Sequence, residues 1–237
     1  MLPTSPVLTG CEVVTDSASR AVLAGIVASC ICFVVAACGG DIERRSAERR
    51  PEPGGVSLMD SAASGVIRQT DARGRHLPFD TKHPHRWNGG NNGTTYEPCT
   101  DVGSKELVAL GVDASTVRDA AGTDGQTLRG CVWIVRSSDG GSDWSISQIV
   151  GNSPTLAMDK RRKSTPIDVW LPDVNLDGRV VGVHRTRSGL NCDTYVQSGG
   201  AAVNTIALHL GSPHPAPEEI CAKAIEFTRA TIGKMPR

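Results

Sequence analysis

CDTYVQSGGAAVNTIALHL, residues 192–210, decides the fold. Residues 192–197 are a β-branched and aromatic run, which reads as a strand. Ser198-Gly199-Gly200 reads as a turn. Residues 201–210 complete a hairpin, with Val203, Thr205, Ala207 and His209 on one face. Strands joined by a short glycine turn pair antiparallel.

Working outward, the same signature recurs upstream. Residues 128–135, LRGCVWIV, read as a strand, and 137–141, SSDGG, as a turn. Trp144, Ile146 and Ile149 suggest a second strand, although the alternation breaks at Ile149. Residues 166–170, PIDVW, precede a loop and then a strand over 179–184. In KELVALG, residues 105–111, Leu107, Val108 and Leu110 give one short apolar helical face, with Asp101 or Ser104 as its cap and Gly111 as its end. Pro213, Pro215 and Pro217 break the chain before a last helix. Glu218 and Glu219 occupy its first turn, where the helix dipole favours them, and Ile220, Cys221, Ala224, Ile225, Thr228 and Ile232 recur at helical spacing. The expected fold is α+β: an antiparallel sheet built from hairpins, with N- and C-terminal helices packed on one side and two disulfides.

Residues 21–37, AVLAGIVASCICFVVAA, are the longest apolar run. Such a run fits either a signal-peptide core or a short membrane helix. Its end, Val35-Ala36-Ala37-Cys38, resembles a lipobox, in which the thiol of Cys38 receives the lipid. The expectation is therefore a lipoprotein signal peptide over 1–37 and a lipid anchor at Cys38 on the extracytoplasmic face of the cell membrane. Arg44, Arg45, Arg49 and Arg50 after the run, against Arg20 before it, run counter to the positive-inside rule. Glu12 and Asp16 make a long leading region, which translation from near Val13 or Val14 would shorten. Leu8-Thr9-Gly10-Cys11 has lipobox letters but no apolar core before it.

Cys11, Cys30 and Cys32 fall in the segment to be removed, which leaves Cys99, Cys131, Cys192 and Cys221 beside the lipidated Cys38. An even number in an exported chain implies a disulfide framework. Cys99–Cys131 and Cys192–Cys221 are favoured among the three pairings, because each pair brackets one structural unit. No CxxC pair is present, which argues against zinc. Residues 38–94 contain PEPGG, ARGRH and NGGNNG without sustained apolar period, so a lipidated N-terminus and disordered tether is expected there, ahead of a single domain over 95–237. His76, His83 and His85 are read as solvated linker histidines.

Lys plus Arg and Asp plus Glu are both 25 in the 237-residue chain, and aromatics are 4%. Zero net charge gives no reason to expect nucleic acid, and few aromatics argue against base stacking. Asp173-Val174-Asn175-Leu176-Asp177-Gly178 matches the first half of a calcium loop, with Asp173, Asn175 and Asp177 as weak candidate ligands. The ninth and twelfth positions are Val181 and His184, where oxygen ligands belong, so a tight turn explains the motif equally well. Lys160 to Lys163, KRRK, read as a solvated helix end or as a contact for lipid headgroups or phosphate. No G-x-S-x-G elbow occurs, both His184 and His209 fall in strand-like segments, and no cofactor is expected.

Glu97-Pro98-Cys99, the following LVALG, Gly130-Cys131-Val132-Trp133, and Cys192…Cys221 with an Ala-rich terminal helix ending in Met-Pro resemble a family of actinobacterial lipoproteins catalogued as a domain of unknown function. The resemblance covers about 95–236 plus the lipobox, and Arg outnumbering Lys 19 to 6 fits a GC-rich coding sequence. It implies a surface-anchored domain with two disulfides and supplies no substrate, cofactor or catalytic residue. Two functions follow as expectations: a non-catalytic envelope module binding a ligand or protein, or an envelope-acting hydrolase or transferase.

Overall fold

A computed structural model describes residues 66–135, 143–153 and 155–237. The apolar run 21–37, Cys38 and the turn expected at 137–141 lie outside these residues. The chain runs α1 (Pro98–Asp101), α2 (Ser104–Ala109), β1 (Val112–Asp119), β2 (Arg129–Val135), β3 (Trp144–Gly151), α3 (Leu156–Arg162), β4 (Asp168–Leu176), β5 (Arg179–Thr186), β6 (Asn191–Ser198), β7 (Ala201–His209) and α4 (Pro217–Thr231), with a closing 3-10 turn at Ile232–Lys234. The strands form one seven-stranded sheet in the order β1-β2-β3-β7-β6-β5-β4. Every pairing is antiparallel. Two meanders therefore meet at β3 and β7, and α3 stands in the connection between them.

The amphipathic stripe of α4 buries Ile220, Cys221, Ala224 and Phe227 against alternate residues of the strands, including Cys131, Trp133, Ile146 and Ala207. Trp133 and Phe227 bring their rings to 5.7 Å. Cys99 of α1, Val102 at its C-cap and Leu107 of α2 belong to the same apolar cluster. Disulfides join Cys99 to Cys131 and Cys192 to Cys221, the pairing favoured by sequence. The first ties α1 to β2, and the second ties β6 to α4.

A polar row crosses this apolar face. Gln148, Thr205 and Thr194 are register neighbours on β3, β7 and β6. The Gln148 amide donates to the hydroxyls of Thr205 at 2.9 Å and Thr231 at 3.0 Å, and accepts from the Tyr96 hydroxyl at 2.7 Å. Thr194 and Thr228 bring their hydroxyls to 2.6 Å. This explains the broken alternation at Ile149: the buried position belongs to Gln148, a polar residue whose amide is satisfied by Tyr96, Thr205 and Thr231.

Sequence reading expected five strands, and the two it missed are the edges. β1 occupies a stretch where no strand is expected, and β4 continues through the loop expected after Trp170. Both carry a register shift, between Asp113 and Arg118 in β1 and between Leu171 and Val174 in β4. A bulge breaks the two-residue period by which strands are recognised. Pro172 sits inside the β4 irregularity, where an edge strand tolerates a missing N–H.

The expected disordered tether is corrected over residues 66–94, which are tied to the domain by directed hydrogen bonds. Asp71 accepts from the backbone of Arg73 and Arg75, from the Arg75 side chain and from the Thr100 hydroxyl. Burial would raise its carboxyl, but these bonds hold it below the usual range. At Asn88–Gly93 the Asn91 side chain closes the turn onto Arg86. The Gly93 N–H donates to Asn152 at 2.8 Å and its carbonyl accepts from Gly200 at 2.9 Å. A Cβ on Gly93 would lie 2.7 Å from the Asn152 side chain, so the glycine that reads as linker is a requirement of close approach. Gln148→Leu is expected to lower stability by about 2 kcal/mol, because the fully buried Tyr96 hydroxyl loses an acceptor; urea unfolding measures this, and an unchanged midpoint would remove the polar row from the account of the core.

Candidate functional site

The corrected segment builds a cleft of about 290 Å³ whose walls include Arg68, Arg86, Trp87, Glu97 and Arg129. Glu97 is fixed from both sides: it caps α1, accepting from the Cys99 N–H at 3.3 Å, and its own N–H donates to Asp101 at 2.8 Å. Arg129 opens β2. Both residues stand two positions ahead of a half-cystine, so the Cys99–Cys131 bridge makes them neighbours.

The Glu97 carboxylate accepts from Arg129 at 2.8 Å and from both terminal nitrogens of Arg86 at 3.1 and 3.2 Å. All three side chains are buried, at 2% exposure for Glu97, 3% for Arg86 and 6% for Arg129. Asp119 takes the Nε of Arg86 at 3.0 Å. Burial alone would lower the Arg86 guanidinium, but Glu97 and Asp119 outweigh it and raise it. Arg129 ends lowered, by burial and by the charges of Arg86 and Arg68, against the pull of Glu97. The Trp87 ring is the common surface, with the guanidinium carbons of Arg86, Arg68 and Arg129 at 4.3, 4.8 and 4.9 Å from its centroid.

A second ionic cluster centres on β5. Asp193 faces Nδ1 of His184 at 2.7 Å and Asp168 faces Nε2 at 2.9 Å. Lys163 donates to Asp193 at 2.7 Å and lies 3.3 Å from Asp159. Trp170 packs beside the His184 ring at 5.0 Å and donates its indole N–H to the Lys163 carbonyl. A neutral imidazole has one N–H and cannot donate to two carboxylates, so this geometry calls for the imidazolium. Burial would lower the ring, but Asp193 and then Asp168 raise it above its ordinary 6.5.

The other sequence candidates are dispersed. Asp173 pairs with Lys160 at 2.7 Å. The Asn175 side chain accepts from the Gly178 N–H at 3.1 Å, and Asp177 has φ of 51° in the β4–β5 hairpin turn. The calcium-like letters thus spell a strand end and a turn. Among the described residues no three His, Cys, Asp or Glu side chains gather as a metal site. In the KRRK run, Lys160 and Lys163 are bound by carboxylates, while Arg161 and Arg162 are exposed. His83 lies 3.1 Å from the Ala121 carbonyl, His85 is 2.7 Å from Asp124, and His209 meets Trp144 edge to face with ring centroids 4.7 Å apart. His83 and His85 border the cleft; read as linker, they gave no signal of it. Arg68, Arg86, Trp87 and Arg129 were not singled out at all, although the favoured disulfide already implied that Glu97 and Arg129 meet.

Fold and site together define a disulfide-stapled α+β domain carrying an arginine-walled cleft. Residues 33–234 match the family described as "Protein of unknown function (DUF3558)", and the chain belongs to that family. No curated protein and no solved structure matches it. The family match begins upstream of residue 66, so it takes in the whole segment that builds the cleft.

Two outcomes are expected. Glu97→Ala leaves two buried guanidiniums facing each other and lowers stability by about 3–5 kcal/mol, read by urea unfolding; a loss comparable to that of an exposed salt bridge would show the triad to be solvated. For His184 the folded-state value is raised, so its stabilisation is complete below about pH 6.5 and declines as pH rises through the folded value. The urea midpoint of the native protein relative to His184→Gln is expected to fall between pH 6 and 9, and a constant difference would contradict the charged ring.

Proposed function

We propose that this protein is an exported, lipid-anchored module of the cell envelope, held by lipid on Cys38, that binds a small ligand in the Arg68–Trp87 cleft without chemistry of its own. The observation that carries the reading is the pair of disulfides: each joins a helix to a strand of the core, and such bonds persist in oxidising compartments outside the cytosol. The apolar run 21–37 ending in Val35-Ala36-Ala37-Cys38 supports export and acylation. In this reading α1 and α2 lie with α4 on the covered side of the sheet, supported by their common apolar cluster.

The competing reading, a hydrolase or transferase acting on envelope material, needs a carboxylate or imidazole free to move a proton. The Glu97 carboxylate is buried and its oxygens are taken up by the guanidiniums of Arg86 and Arg129. The His184 ring is buried at 4% exposure with both nitrogens occupied. Neither is suited to proton transfer.

Mass spectrometry of the native protein under non-reducing conditions tests the proposal. A thioether-linked diacylglycerol on Cys38 and the two cystine peptides, Cys99 with Cys131 and Cys192 with Cys221, are the expected result. An unmodified Cys38 peptide together with free thiols at the four positions would place the chain in a reducing compartment and end the reading.

A further inference from the structure

The arginines of the cleft are not equivalent. Arg129 spends its Nε on the Asn91 carbonyl, one terminal nitrogen on Glu97 and the other on the Thr94 carbonyl. Arg86 spends its donors on Asp119, Glu97 and the Gly130 carbonyl. Arg68 gives only its Nε, to the Thr70 carbonyl at 2.9 Å. Among the described residues neither of its terminal nitrogens has an acceptor and no carboxylate pairs with it, although the side chain is half-buried against Trp87. The Trp87 indole N–H also lacks an acceptor among the described residues, and Trp87 borders the same cleft.

The charge balance points the same way. The cleft walls carry three guanidiniums, from Arg68, Arg86 and Arg129, against the single carboxylate of Glu97. Asp119 reaches this set only through the Nε of Arg86. Two buried cations whose nitrogens all have acceptors create a positive field, and one cation with a free fork lies beside them. A guanidinium fork matches the paired oxygens of a carboxylate or phosphate, and the flat indole offers an apolar surface next to it. A cleft of about 290 Å³ is at the small end for organic ligands.

We propose that the cleft binds a small organic acid, a carboxylate or phosphate borne on a flat apolar group, with the Arg68 fork and the Trp87 indole N–H as donors to the acid and the Trp87 ring as the surface for its body. This rests on the binding reading above and names the ligand class for the same cleft. Arg86 and Arg129 are positioning residues that hold Trp87 and supply charge. Burial lowers the Arg68 guanidinium, with Asp71 and Glu97 only partly opposing, and an anion at the fork relieves that imbalance.

The test uses the disulfide-bonded protein and four probes: phenyl phosphate, benzoate, inorganic phosphate and benzyl alcohol, titrated calorimetrically at low salt. Phenyl phosphate or benzoate is expected to bind at least tenfold more tightly than benzyl alcohol and than inorganic phosphate, and which of the two is tighter assigns the acid. Arg68→Met, which keeps the apolar stem and removes the fork, is expected to weaken the better probe at least tenfold with an unchanged melting temperature. Should that variant fold poorly, the Trp87 indole N–H resonance of the native protein gives the same reading: it moves on titration with the better acid and not with benzyl alcohol. Equal binding of benzyl alcohol, a static indole resonance, or no binding of either aromatic acid would overturn the ligand class. Such a failure leaves the lipid and cystine peptides untouched, whereas their absence would end the envelope reading even if an acid bound.

Discussion

One buried carboxylate organises the N-terminal third of the described chain. Glu97 accepts hydrogen bonds from Arg86, Arg129 and the start of α1 at once. Desolvating three charges is costly, and a triad of this kind gives little net stability over an apolar cluster of equal volume. It does set geometry. With Glu97 in place, Arg86 and Arg129 each have one position, Trp87 is held between them, and the segment from 83 to 97 has one way to lie on the sheet. The Cys99–Cys131 bond beside the triad makes the arrangement covalent, since it fixes the backbone from which Glu97 and Arg129 project.

The register of α4 is set in a comparable manner. An apolar stripe alone tolerates sliding, because one methyl group substitutes for another. The row Gln148–Thr205–Thr194 does not, because its hydrogen bonds to Thr231 and Thr228 require those two helix residues and no others. Cys192–Cys221 then anchors the helix nearer its start. Polar specificity and covalent restraint thus act on both layers of the fold, and apolar burial supplies the driving force between them.

The regular parts of this architecture were legible in the amino-acid order. β2, β5, β6, β7 and α4 follow plain periodicities, and the disulfide pairing followed from which units the cysteines bracket. What escaped was wherever tertiary contact overrides local pattern. β1 and β4 are bulged, so they lack a clean two-residue period. Residues 66–94 are poor in apolar residues and rich in Asn, Gly and Arg, which is also the composition of a linker. Here those residues are ordered by directed bonds: Asp71 to Arg75 and Thr100, Asn91 to Arg86, Gly93 to Asn152. Hydrogen bonding between distant positions leaves no periodic trace, so the cleft was invisible even though its residues were in plain view. Only Glu97 and Arg129, each two residues before a bridged cysteine, carried a signal.

The two irregular edges have a bearing on how copies of the chain meet. An open sheet ends in rows of unpaired N–H and C=O groups that a neighbouring chain can extend, strand upon strand. Here β1 changes register partway along its length, and β4 does so at Pro172, which has no N–H to offer. An incoming strand would find a short ladder, a kink and then a ladder out of phase with the first. Growth of the sheet into a fibril is therefore opposed at both borders, and the domain keeps its seven strands even where many copies are crowded together.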